Sequence, residues 1–174
     1  MKNIWNTIGI FLLLLTSCGS QLNMAPEKVN QLLNSGEFTF MAQRANPTNA
    51  DVTNVLNSLP NASSARILNL DYGYTLQITK DQLDVNLPYF GRTYNPSYDT
   101  SKNSFRFTSK SFRVTQKDGK NGNKNYFFTL NDQNSIRKMN LEIFSNGKAY
   151  LSVDADDRQP ISYDGYIMEN NTKK

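Results

Sequence analysis

The residue types that carry most enzyme chemistry are scarce in this sequence. It contains no histidine, which removes the commonest general base, the usual zinc ligand and every serine–histidine nucleophile pair. Its one cysteine is Cys18, so no second cysteine is present for a disulfide. No glycine-rich phosphate-binding motif is present either. We therefore predict a protein that is not an enzyme and that has no cofactor and no metal site.

Two charged clusters are weaker candidates for chemistry. Asp154, Asp156 and Asp157 offer the oxygen ligands that calcium prefers, but the glycine and the distal glutamate of a calcium loop are missing and Arg158 adjoins them. Three lysines between positions 117 and 124 lie in a stretch rich in glycine and asparagine. We interpret both clusters as solvated turns.

The most unusual local string is LPYFGRTY, over positions 87–94. Its proline ends strand pairing, and its glycine allows a sharp turn or a close approach by another group. An arginine among aromatic rings can stack on them and bind a carboxylate or carbonyl group. The alternative is a structural corner, with the aromatic rings in the core and Arg92 capping carbonyl groups. The residues of this candidate ligand or interaction site are Tyr89, Phe90, Arg92, Tyr94 and Tyr98.

A helix is predicted ahead of the strands that must position this string. Pro26 suits a first helical position, Val29, Leu32 and Leu33 have helical spacing, and Gly36 suits the end. The stretch 46–64 is the least defined part of the chain, with room for a short helical turn around Val52, Val55 and Leu56.

From position 37 onward the apolar period is two, which is typical of strands with one buried face. Alternating runs begin at Phe38, Tyr72, Leu83, Phe105, Phe112, Tyr126, Met139, Ala149 and Ile161. Asn146-Gly147 predicts a hairpin between two of these runs, and positions 118–122 predict a longer polar loop. We predict a mainly β protein, an antiparallel meander of about nine strands forming a barrel or a sandwich, with one short N-terminal helix.

The N-terminal segment predicts targeting rather than structure. A basic start is followed by an apolar stretch from Ile4 to Leu15, too short to span a bilayer comfortably. Leu15-Thr16-Ser17-Cys18 resembles the bacterial lipobox. That resemblance implies cleavage before Cys18, a diacylglyceryl thioether on its sulfur and an amine open to a further acyl chain such as palmitate. We predict a signal peptide over 1–17, the lipidated cysteine and a tether over 18–25, and a single β-rich domain over 26–170.

Charge and the residue after the cysteine bear on the expected partners and location. The net charge of +4 comes from 19 basic and 15 acidic residues without a concentrated basic run, so nucleic acid is not an expected partner. Two or three acyl chains would hold the protein on a membrane. Gly19, rather than an acidic residue, follows the cysteine, which favours the outer membrane with the domain facing the periplasm.

The LPYFGR string, the segment 146–151 and the segment 161–167 together resemble domain-of-unknown-function family 4251, small cell-envelope lipoproteins of Bacteroidota. The resemblance implies the same compartment but no activity and no site residues. We predict a non-catalytic envelope lipoprotein that acts as a binding or interaction module for an envelope protein or polymer. The alternative is a carrier that holds a lipid or small apolar ligand in a barrel-like cavity.

Overall fold

The computed structural model describes residues 24–60, 63–94 and 103–170. The predicted signal peptide, the predicted lipidation site Cys18 and the candidate site residue Tyr98 lie outside these ranges. The described helices include none that is long and apolar enough to cross a membrane.

The predicted N-terminal helix is α1, Pro26–Ser35. Pro26 stands in its first turn, and Gly36 ends it in the left-handed conformation at φ 69°, where glycine has no side chain to strain. Val29 and Leu32 are buried against the sheet. The helix therefore closes the end of the sheet at which the first strand begins.

Nine antiparallel strands follow, as predicted, in the order β4-β3-β2-β1-β9-β8-β7-β6-β5. They are β1 (Phe38–Pro47), β2 (Thr75–Ile78), β3 (Leu83–Pro88), β4 (Ser104–Ser109), β5 (Phe112–Asp118), β6 (Lys124–Leu130), β7 (Ile136–Ile143), β8 (Lys148–Ala155) and β9 (Ile161–Met168). The order consists of two meanders, β1–β4 and β5–β9, joined where β1 pairs with β9. Because Gly73 turns the chain at φ 116°, β2 starts later than the alternation predicts, and Tyr72 is exposed.

The two ends of this sheet, β4 and β5, are halves of one stretch of chain that bends between them. In an order of nine antiparallel neighbours, the first and ninth strands run in the same direction, and only Lys110 and Ser111 separate β4 from β5. The first half of the stretch pairs with β3 and the second half with β6. This continuity makes the sheet nearly closed and barrel-like, which decides between the two predicted architectures.

Buried side chains of every strand except β5 fill the barrel interior, and β5 contributes the partly buried Phe112. The largest completely enclosed ones are Phe38, Phe40, Leu76, Leu83, Leu87, Met139, Leu141, Ile143, Leu151, Ile161, Tyr163 and Ile167. The phenol of Tyr163 satisfies its buried hydroxyl by donating to the Pro88 carbonyl oxygen at 2.7 Å. A core of this kind supports a rigid surface on which sites can be built.

Two further helices, α2 (Ala50–Ser58) and α3 (Ser64–Leu68), occupy the segment in which the sequence predicts at most a helical turn. Asn49 caps α2 by accepting from the Asp51 amide, and Ser63 caps α3 by accepting from the Arg66 amide. Because α2 follows the end of β1, it lies at the opposite end of the barrel from α1.

Candidate functional site

The LPYFGRTY string forms a corner that is tied to the loop between β8 and β9. The Tyr94 amide donates to the Asp157 carbonyl oxygen at 2.8 Å, and the Gln159 amide donates to that of Arg92 at 3.0 Å. Thr93 forms an isolated antiparallel bridge with Arg158. The corner is therefore a short added ribbon rather than a free loop.

The hydroxyl group of Tyr89 bonds one backbone carbonyl group of this corner and one of the β8–β9 loop. This half-buried phenol lies 2.9 Å from the Arg92 carbonyl oxygen and 3.1 Å from that of Gln159. Burial raises the pKa of this phenol above its usual value, so it stays a neutral donor. A side chain at position 91 would clash with the Tyr89 hydroxyl. Glycine therefore allows the backbone to lie this close to the tyrosine ring.

The cation that stacks on the corner's rings is Arg158, not the predicted Arg92. The guanidinium carbon of Arg158 lies 5.0 Å from the ring centre of Tyr89 and 4.9 Å from that of Phe105. The residue is only 8% exposed, and its Nε and Nη2 atoms donate to the two carboxylate oxygens of Asp157 at 3.0 and 2.8 Å. This bond from Arg158 is the main reason why the pKa of Asp157 is lowered. The corner thus carries a buried, internally paired arginine.

Arg92 itself is exposed and faces a groove. The groove has a volume of about 400 Å³, and Gly91 and Arg92 form one wall while α2 forms the other. The apolar residues of α2 that line it are Val52, Val55 and Leu56. We call this depression the α2 groove.

The helix that walls this groove is unusual because none of its side chains is buried. Val55 is 60% exposed, although three apolar residues of α2 line the depression. Asp51 also lines the groove, so one cation and one anion flank the apolar surface. This lining fits an apolar group that carries a hydrogen-bond acceptor for Arg92.

The five predicted site residues do not converge on one pocket. Phe90 and Tyr89 pack against the barrel core, and Tyr94 is 57% exposed. Only Arg92 of the described four lines the α2 groove. The sequence predicts a helical turn where α2 lies but does not place it beside the corner, because the two segments are distant in sequence.

The acidic cluster at the end of β8 is paired with arginines. Arg137 contacts the carboxylates of both Asp154 and Asp156, and Asp157 is held by Arg158. Across the described ranges, no three histidine, cysteine, aspartate or glutamate residues are grouped closely enough to hold a metal ion.

Comparisons with known proteins point to one family. The family model described as "Domain of unknown function (DUF4251)" matches residues 21–167. A crystal structure of a DUF4251 family protein from Bacteroides eggerthii aligns with a TM-score of 0.49 and 11% sequence identity, covering 83% of this chain and 87% of that one. No curated protein matches the sequence.

Proposed function

The chain belongs to the DUF4251 family, and on that premise we propose that it is a non-catalytic, lipid-anchored protein of the cell envelope that binds another envelope protein through the α2 groove. Acyl chains on Cys18 hold it on the outer membrane, and the domain faces the periplasm. The partner contributes an apolar side chain to the groove and an acceptor to Arg92.

The observation that carries this proposal is the exposure of α2. A helix whose apolar side chains form an open groove, with Val55 60% exposed, leaves apolar surface in water that a partner would remove. The packed corner opposite keeps Gly91 and Arg92 in place, so the groove is pre-formed and little ordering is needed on binding.

The position of the groove supports an anchored module. The tether precedes α1, which lies at the start of β1, whereas α2 follows the end of that 10-residue strand. The strand spans about 30 Å. The groove is therefore at the end of the barrel away from the tether, where a partner has access.

The carrier alternative has less support. The barrel interior is occupied by side chains, and the cavities found among the described residues open at the surface. An enclosed apolar space for a lipid would require these side chains to move apart, at the cost of their packing.

The test is photocrosslinking in the intact envelope of the source bacterium. The photoreactive residue p-benzoylphenylalanine replaces Val55 in one variant and Lys80 in a control, because Lys80 is exposed in the β2–β3 turn at the other end of the barrel. We expect a discrete adduct with a protein from position 55 only, reduced several-fold when Arg92→Glu is added. Equal labelling at both positions, or no adduct at position 55, would contradict the proposal.

A further inference from the structure

A second depression, larger than the α2 groove, lies on the outer face of the barrel near the β7–β8 hairpin. Its volume is about 640 Å³. Four amide side chains line it: Gln43, Asn121, Asn123 and Asn146. We call it the amide groove, and it shares no residue with the α2 groove.

Irregularities in the backbone build this groove. The register of β1 against β9 shifts between Ala42 and Arg44, so Gln43 is an extra residue in the ladder. Opposite, Gly165 lies so close to the Met41 carbonyl oxygen that any side chain on it would clash. Asn121 adopts the left-handed conformation at φ 57° in the loop before β6. The bulge and the left-handed residue bring Gln43 and Asn121 to the groove, which Gly165 lines without a side chain.

Hydrogen bonds hold several of these groups while leaving others available. The side-chain nitrogen of Asn123 donates to the Glu142 carboxylate at 2.8 Å. Asp164, which also lines the groove, accepts from the side-chain nitrogen of Asn46 at 2.7 Å. The Asn146 oxygen accepts from the Lys148 amide at 3.1 Å. Within the described part of the chain, the other polar atom of Asn123, Asp164 and Asn146 makes no side-chain hydrogen bond.

The set of polar groups fits a polyhydroxylated ligand. Amides both donate and accept, Asp164 only accepts and Lys148 only donates, and each sugar hydroxyl is both a donor and an acceptor. One cation and one anion give the lining no net charge, which favours a neutral ligand over a phosphate. The half-buried ring of Phe144 adds an apolar surface for a sugar face.

An extended peptide fits less well. The strands beside the groove, β1, β9, β8 and β7, are each paired on both edges. A peptide that adds a strand to a sheet needs an unpaired edge, so a peptide cannot bind to the groove in this way.

We propose that the amide groove is a binding site for a neutral oligosaccharide. The site goes beyond the proposed partner-binding function, and because the two grooves are separate, failure of one proposal leaves the other intact.

The test is a titration of the ¹⁵N-labelled mature chain, residues 18–174 with Cys18→Ala so that no lipid is attached, followed by NMR of its side-chain amides. The probes are cellohexaose, maltohexaose and xylohexaose as neutral ligands, and an oligogalacturonate of similar length as an acidic one. We expect at least one neutral probe to shift the amide signals of Gln43, Asn123 and Asn146. Gln43→Ala is expected to weaken that binding by about fivefold to tenfold, the effect of one lost hydrogen bond.

Gln116→Ala is the matched control, because Gln116 is an exposed amide on β5 that does not line the groove. It is expected to leave the affinity unchanged. Four results would overturn the proposal in a folded domain: no shift with any neutral probe at about 10 mM, a concentration at which even millimolar binding is visible, shifts that map away from the groove, binding of the acidic probe alone, or equal effects of the two substitutions.

Discussion

Arg158 shows how a single residue can organise a corner far from it in sequence. The LPYFGRTY string predicts a turn with aromatic rings, and that much follows from local chemistry, since proline ends a strand and glycine permits close approach. The identity of the stacking cation does not follow, because Arg158 lies in the loop between β8 and β9, distant in sequence from Tyr89. Arg92, adjacent to the rings in sequence, points outward instead.

Replacing Arg158 should therefore destabilise the domain more than replacing Arg92. Arg158→Met removes two ring contacts and leaves Asp157 without its partner, for which we expect a loss of about 2 kcal/mol in the free energy of unfolding. Arg92→Met changes an exposed side chain and should stay within about 0.5 kcal/mol of the wild type. Chemical denaturation of both variants measures the difference, and equal losses would show that Arg158 does not hold the corner.

At the scale of elements, the sequence predicts best where one local signal acts alone. Pro26 and Gly36 delimit α1, and Gly147, at φ 80°, allows the predicted hairpin between β7 and β8. The sequence predicts only a turn where the structure has the helix α2. Its apolar residues are not buried, and its one cap is an asparagine. The bend between β4 and β5 has no local signal, since the group that stabilises it is Asp132, beyond β6.

Asp132 should make this bend sensitive to acid. Its carboxylate accepts from the Ser109 hydroxyl and from the Lys110 and Ser111 amides, the latter two at 2.8 and 3.1 Å, and these bonds, chiefly that of Ser109, lower its pKa below the usual 3.8. A carboxyl group with a lowered pKa in the folded state stabilises the fold above its unfolded-state pKa. That stabilisation is lost as the pH falls through the folded-state value.

We therefore expect Asp132→Asn to lower the melting temperature at about pH 6, with the difference from wild type shrinking towards about pH 2.5. Asp81→Asn is the matched control, because Asp81 is exposed in the β2–β3 turn and makes no side-chain hydrogen bond or ion pair in the described structure. Thermal unfolding followed by circular dichroism at several pH values gives the comparison. A deficit for Asp132→Asn that is independent of pH would refute this role.

For the whole molecule, alternation predicts nine strands but not how they close. A barrel and a sandwich both bury one face of each strand, so the same period of two serves either architecture. Two long-range features make the sheet a barrel: the pairing of β1 with β9 and the direct connection of β4 to β5. The same limit applies to the sites, because both grooves join residues from elements distant in sequence.

The central claim, that this barrel is held on a membrane by lipid on Cys18, is tested most directly by fractionating cells that express the wild type or Cys18→Ala and measuring the intact mass of each mature protein. We expect the wild type in the membrane fraction with a mass that exceeds its mature chain by the diacylglyceryl and acyl groups, and the variant released without added mass. A wild-type protein without added lipid, or a Cys18→Ala variant retained on membranes at wild-type levels, would contradict the account.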